Sequence, residues 1–240
     1  MTHRTWFLLL LGLFLVWAVA LGIAPLYRHD WLLENVLSLA AVILLFSTRK
    51  SFTLSRLSYA LIFIFLFLHE LGTHYTYAEV PYDPWWQSAF GYSLNEALGF
   101  ERNHFDRLVH FLYGLLLAYP VREMFIRVAD VKGFWSYFLP LDLTMSTSML
   151  YELVEWAVAE VFGGELGMAY LGTQGDVWDA HKDMGLASLG ALLAMLITAG
   201  MNGWLQRDFA REWNESLRVK HAKPLGEDEI RRMLEEADRG

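Results

Sequence analysis

Long apolar runs alternate with polar segments along most of the chain. Few charged residues interrupt these runs, which cover Trp6–Ala24, Trp31–Phe46, Leu57–Leu68, Phe111–Tyr119, Phe134–Val161 and Met184–Leu205, the third and fourth with further flanking residues. A helix needs about 20 apolar residues to cross the hydrocarbon core of a bilayer. The pattern therefore predicts an all-α fold, a polytopic membrane bundle of about six transmembrane helices.

The first apolar run is compatible with either a signal peptide or a retained helix. The hydrophobic region of a signal peptide spans about 7–15 residues, whereas Trp6–Ala24 has 19 residues. This length favours a retained first transmembrane helix.

Lysine and arginine residues are distributed unevenly between the predicted loops. If the N-terminus is cytoplasmic, the inner segments hold 15 of the 19 basic residues. Basic residues concentrate on the cytoplasmic side of membrane proteins, so this distribution predicts that both termini are cytoplasmic. We expect a transmembrane domain over residues 1–205 and a polar cytoplasmic tail over 206–240, with a short helix after Pro224.

Composition narrows the function classes. Hydrophobic residues make up 55% of the chain and charged residues 19%, against about 25% charged residues in soluble domains. The absence of cysteine excludes disulfides, thiolate metal sites and cysteine nucleophiles. The net charge is −8, and no basic patch interleaved with aromatic residues indicates nucleic-acid binding.

Ionisable side chains recur near the outer ends of four predicted helices. They are His69 and Glu70 on the third helix, Asp106 and His110 on the fourth, Glu152 and Glu155 on the fifth, and Asp179 and Asp183 on the sixth. At 1.5 Å per residue, these sets fall at a similar depth, about 6–10 Å below the outer helix ends. Because ionisable groups are costly inside a membrane and mark functional sites there, we expect a shared polar site.

Clustered carboxylates repel one another at low dielectric, and the nearby cations are few. A divalent metal (zinc, manganese, iron or magnesium) is the cofactor that best relieves this repulsion. The predicted metal ligands are His69, Asp106, His110, Asp179 and Asp183. Glu152 and Glu155 are the candidate catalytic residues, acting as a base or a bridging ligand, and Arg107 and Lys182 are candidates to bind an anionic head group.

These residues suggest a metal-dependent hydrolase whose substrate is a lipid or another amphiphile. Two alternatives stay open: a proton- or cation-coupled transporter, and a structural or accessory protein whose polar centre fixes helix packing. Membership of the site is also open for His74, His104, His181, Glu70 and Asp176, the last of which is well placed to cap the sixth helix.

Four segments carry a family resemblance. They are HELGTHYTY from His69, RNHFDRLVHF from Arg102, YELVEW from Tyr151 and GTQGDVWDAHKDM from Gly172. Together they resemble the signature segments of the YjdF-like family of bacterial inner-membrane proteins, and the similarity covers roughly residues 10–205. The resemblance implies a small multi-pass protein of the bacterial inner (cytoplasmic) membrane, and it assigns no reaction.

Overall fold

The described part of the chain is all-helical. The computed structural model describes residues 1–162, 173–220 and 226–238, so most of the glycine-rich sequence at 163–176, which the hydropathy pattern predicts to be an outer loop, lies outside the described residues. The helices are α1 (His3–Gly22), α2 (Arg28–Thr48), α3 (Arg56–His74), α4 (Tyr82–Phe90), α5 (Leu94–Leu98), α6 (Phe105–Ala129), α7 (Trp135–Phe162), α8 (Asp179–Leu205), α9 (Phe209–Ser216) and α10 (Glu227–Ala237). The predicted fold class is confirmed.

Each predicted apolar run falls on one of the six long helices. Five of these, α1, α2, α3, α6 and α8, are long and apolar enough to cross a membrane. The sixth, α7, has 28 residues, but Asp142, Glu152 and Glu155 lower its hydropathy. The protein is thus a polytopic helical membrane protein, and α7, which carries these acidic residues, is one of the helices that contribute to the candidate site.

Aromatic packing joins α1 to α3. The ring centroids of Phe7 and Tyr59 are 5.0 Å apart, and those of Phe14 and Phe63 are 6.0 Å apart. Helix α3 also contacts α2, whose buried residues are all polar: Asp30, Glu34 and Ser38. A polar stripe therefore runs along α2 at the helix interface.

Small residues hold α6 against α8, the most extensive helix pair of the described chain. A methyl group on Gly114 would lie 1.9 Å from the backbone oxygen of Ala187, and one on Gly190 would lie 2.1 Å from that of Phe111. The interface continues through Ala118 and Ala191, both fully buried. Small residues allow membrane helices to approach this closely, and the approach fixes the register between α6 and α8.

Short helices form at both ends of the bundle, in the segment between α3 and α6 and in the polar tail. The outer segment between α3 and α6 forms α4 and α5, and Asp83 of α4 accepts hydrogen bonds from the Asn95 backbone N–H at 2.9 Å and from the Ser93 hydroxyl at the start of α5. These bonds, that of Asn95 first, lower the pKa of Asp83.

The polar tail forms two helices rather than one. The predicted short helix after Pro224 corresponds to α10. The additional helix α9 contacts the loop between α6 and α7, where the Gly133 N–H donates to Glu212 at 3.0 Å and the Phe134 N–H donates to Ser216 at 3.0 Å. The start of the tail is therefore anchored to the predicted inner end of the bundle.

Candidate metal centre

The close contact of α6 with α8 brings ionisable residues together. On α6, His110 lies about one turn and Asp106 about two turns before Gly114, and on α8, Asp183 lies about one turn before Ala187. Since Gly114 contacts Ala187 directly and the residue numbers at the contact rise together on both helices, α6 and α8 run parallel and their preceding turns also face each other. Asp106, His110 and Asp183 each offer one ligand atom, and these atoms lie within 4.8 Å of one another.

Glu152 of α7 lies beside the group. His110 Nε2 lies 3.6 Å from Asp106 Oδ1 and 3.6 Å from Glu152 Oε1, too far for a good hydrogen bond to either. Ligand atoms around a tetrahedral ion are about 3.3 Å apart, since its bonds to nitrogen and oxygen are about 2.0–2.1 Å long. The spacing around His110 therefore suits metal coordination better than direct hydrogen bonding.

Two buried oxygen atoms support the same interpretation. Asp183 Oδ1 and Glu152 Oε1 are inaccessible to solvent and have no hydrogen-bond partner, and the two residues are 2% and 8% exposed. A buried carboxylate oxygen without a partner is strongly unfavourable. The donor set of one imidazole and several carboxylates fits a divalent cation, which would satisfy these oxygens.

Basic side chains next to this group already form ion pairs with other carboxylates. Arg102 Nη2 lies 2.6 Å from Asp179 Oδ1, and Arg107 Nη2 lies 3.1 Å from the same oxygen. Asp179 is thus engaged by arginines, and the structure does not place it in the Asp106–His110–Asp183 group. Among the described residues, no lysine or arginine forms an ion pair with Asp106, Asp183 or Glu152.

Asp176 organises the start of α8. Its carboxylate accepts hydrogen bonds from Lys182, Arg107 and the Trp178 backbone N–H. These bonds, that of Lys182 first, hold the pKa of Asp176 well below its ordinary value. Asp176 therefore remains charged and holds the turn before α8 together, but the prediction that it caps this helix was wrong, because the N-cap residue is Trp178, whose side chain forms no capping hydrogen bond in the described structure. Lys182 is half exposed at this surface, whereas Arg107 is largely buried.

His69 lies beside the metal-compatible group without joining it. Its Nδ1 contacts the Tyr77 hydroxyl, and its Nε2 lies 3.4 Å from the backbone oxygen of Glu34. Tyr77 reaches this position because the chain turns sharply after α3, with φ of 56° at Thr76 and 51° at Tyr77. A methyl group on Gly72 would lie 2.5 Å from the Tyr77 ring, so glycine is required where the ring crosses α3.

Sequence reasoning missed four participants: Asp30, Glu34, Arg102 and Tyr151. Asp30 and Glu34 are 5% and 6% exposed on α2. Glu34 accepts a hydrogen bond of 3.0 Å from the Tyr151 hydroxyl of α7, and Glu155 lies beside Glu152 and Tyr151. The signal was present, because acidic residues four apart within an apolar helix mark a buried polar face.

The open candidates have individual environments. Glu70 is fully buried, and neither of its carboxylate oxygens has a hydrogen-bond partner of ordinary geometry. His74 Nδ1 contacts the backbone oxygen of Leu21 at 2.7 Å, away from the group. His104 stacks on Phe100 with ring centroids 4.0 Å apart, and burial, followed by Arg107, lowers its pKa. His181 is exposed and packs against Trp178.

A cavity of about 400 Å³ lies among α2, α3, α6 and α7. His69, Tyr77, Asp106 and His110 line one part of it, and most of the remaining wall is apolar. The cavity therefore joins a hydrophobic chamber to the metal-compatible group.

Comparisons with known proteins identify the family. Residues 6–203 match the family model described as "Predicted membrane protein (DUF2238)". The chain is 37% identical over 179 residues to the inner membrane protein YjdF of Escherichia coli (strain K12), covering 74% of this chain and 81% of that protein. No solved structure matches the chain significantly. The chain thus belongs to the DUF2238 family and is a multi-pass protein of the bacterial inner membrane.

Proposed function

We propose that this protein binds a divalent metal through Asp106, His110 and Asp183 and uses it to hydrolyse a lipid or another amphiphile. The observation that carries the proposal is the convergence of these three ligand atoms within 4.8 Å at a place where a carboxylate oxygen of Asp183 is buried without a partner. A polar cluster that served packing alone would be expected to satisfy its own hydrogen bonds.

The donor set favours some ions over others. An imidazole nitrogen together with carboxylate oxygens suits zinc, manganese or iron, whereas magnesium prefers oxygen ligands and retains several waters. A site with three protein ligands leaves a coordination position open for water or substrate, as catalytic zinc sites do. We therefore expect zinc, manganese or iron to bind more tightly than magnesium.

Hydrolysis requires an activated water and a group that moves its proton. A bound divalent ion supplies the activation by lowering the pKa of water and polarising the substrate. Glu152 would accept the proton of the attacking water and return it to the leaving oxygen as the ester or phosphoester bond breaks. Its Oε1 suits this role because it lies 3.6 Å from His110 Nε2 and has no hydrogen-bond partner. Glu155, beside it, is the alternative base.

Replacing Glu152 with glutamine tests this assignment. We expect hydrolysis to fall by about 10²–10⁴-fold, the usual contribution of a general base, while the metal content stays unchanged. The full chain in nanodiscs would be assayed with para-nitrophenyl laurate and bis(para-nitrophenyl) phosphate. Glu160→Gln, at the exposed end of α7, is the matched control. Activity equal to wild type in Glu152→Gln, or no metal-dependent activity in the wild type, would overturn the hydrolytic assignment.

The transport alternative gains little from the geometry. A carrier needs a polar path that reaches both sides of the membrane. Toward the predicted inner side the cavity is lined by Ala41, Ile62 and Leu117, and no carboxylate lines that part of the described structure. The carboxylates cluster instead at one depth, an arrangement that suits a reaction centre.

A further inference from the structure

We infer that the cavity is a binding chamber for one acyl chain of a membrane lipid, which enters sideways between α2 and α7. This inference rests on the proposed function at one point: the bond between the acyl chain and the head group would lie beside Asp106 and His110, where the proposed hydrolysis takes place. The inference goes beyond the proposed function because it names the part of the lipid that the protein binds and the route by which the lipid enters.

The walls of the chamber match a hydrocarbon chain. Its volume of about 400 Å³ is bounded on four helices mainly by aliphatic and aromatic side chains, and it falls within the range of about 300–1,000 Å³ of small-molecule sites. His69, Asp106 and His110 line it near the predicted outer ends of α3 and α6. A molecule that is apolar along its length and polar at one end therefore fits the chamber.

The opening of the chamber faces lipid. Leu37 of α2 and Leu150 and Val154 of α7 line the cavity, yet they are 51%, 58% and 47% exposed. These side chains line the cavity and are also exposed on the apolar outer surface of the helices. The cavity therefore opens between α2 and α7, at a position within the hydrocarbon core of the membrane. Helix α2 makes only a modest contact with α3 and a smaller one still with α7, so the gap lies where helix packing is weak.

The route from the outer aqueous side is covered. Val80 and Phe105 are 1% and 5% exposed, and Tyr75, Tyr77 and Tyr82 pack on them. The Glu34–Tyr151 hydrogen bond joins α2 to α7 on the outer side of Leu37 and Leu150. A water-soluble ligand would have to displace this cover, whereas an acyl chain in the bilayer already lies beside the open gap.

The experiment uses the full chain in phosphatidylcholine nanodiscs with a trace of phosphatidylcholine that carries a diazirine near the end of one acyl chain. After illumination we expect crosslinked peptides from the chamber wall, including Leu117 of α6, which lines the cavity. Ser148→Phe places a ring in the chamber. Because Ser148 Oγ has no hydrogen-bond partner, this change sacrifices no hydrogen bond.

We expect Ser148→Phe to reduce crosslinking at Leu117 about tenfold, corresponding to the loss of about two buried methylene groups. The matched control is Met149→Phe, which adds a ring at the neighbouring position; Met149 is 50% exposed and does not line the cavity. Equal crosslinking at Leu117 in wild type, Ser148→Phe and Met149→Phe, or crosslinks confined to outward-facing residues, would overturn the inference.

A third variant separates the two proposals. In Asp183→Asn we expect the metal to be lost while crosslinking at Leu117 persists, because Asp183 does not line the chamber. If the wild-type protein binds no metal but is still crosslinked at Leu117, the proposed hydrolase is contradicted and the lipid chamber is supported. If the wild-type protein binds metal but shows no crosslinks in the chamber, the lipid chamber is contradicted and the metal centre is supported.

Discussion

Adding one methyl group at Gly190 is expected to destabilise the protein by about 3 kcal/mol. The methyl carbon of Gly190→Ala would lie 2.1 Å from the backbone oxygen of Phe111, and backbone atoms cannot rotate aside as a side chain can. Helices α6 and α8 must therefore separate. The melting temperature in detergent should fall by about 6–12 °C for a chain of this size.

The control for this prediction lies on the same helix. A methyl group at Gly200 would meet no atom within 4 Å, so Gly200→Ala should gain up to about 1 kcal/mol from helix propensity. The two substitutions make the same chemical change and are expected to have opposite signs. If Gly190→Ala were as stable as Gly200→Ala, the close approach of α6 and α8 would be contradicted, and with it the placement of Asp106 and His110 opposite Asp183.

Replacing Asp183 with asparagine is expected to weaken metal binding by at least about 100-fold, because removing even an outer-shell partner costs about 10–100-fold. At an ion concentration 100 times the dissociation constant, binding stabilises the wild type by about 2.7 kcal/mol; a 100-fold weaker site retains about 0.4 kcal/mol. The metal-induced rise in melting temperature should therefore shrink from about 5–11 °C to about 1 °C. Titrations with zinc and manganese measure this rise.

The metal-free protein provides a second readout. Asp183 lies near Asp106, His110 and Asp179, so asparagine relieves repulsion between carboxylates when no ion is bound. Metal-free Asp183→Asn should be at least as stable as the metal-free wild type. Asp142→Asn, on the exposed face of α7, should leave the metal response unchanged. A loss of metal-free stability in Asp183→Asn with an intact metal response would indicate a packing role for Asp183.

Residue spacing within single helices was sufficient to predict part of the site. Asp106 and His110 are one helical turn apart, so any α-helix places them on one face, and their depth matches that of Asp183 because the helices begin near the same side. Those placements follow from the geometry of separate helices. The six long helices were predictable for the same reason, since the length of each apolar run predicts the length of the helix that contains it.

Contacts between elements were not predictable in this way. The ion pair of Arg102 with Asp179 joins a loop to a helix 77 residues away, and it engages a side chain that spacing alone had grouped with the metal ligands. Tyr77 reaches His69 only through two consecutive residues with positive φ, a conformation that the sequence does not signal. Glu34 was overlooked because the apolar residues around it dominate the pattern of α2.

The metal content of the purified protein tests the central claim most directly. The full chain would be purified in mild detergent without a histidine tag, and its metals measured by elemental mass spectrometry beside Asp106→Asn/Asp183→Asn and the control Asp142→Asn. We predict about one equivalent of zinc, manganese or iron in the wild type and the control, and none in the folded double variant. Equal metal content in all three proteins, or none in any after incubation with each ion, would contradict a metal centre at Asp106, His110 and Asp183.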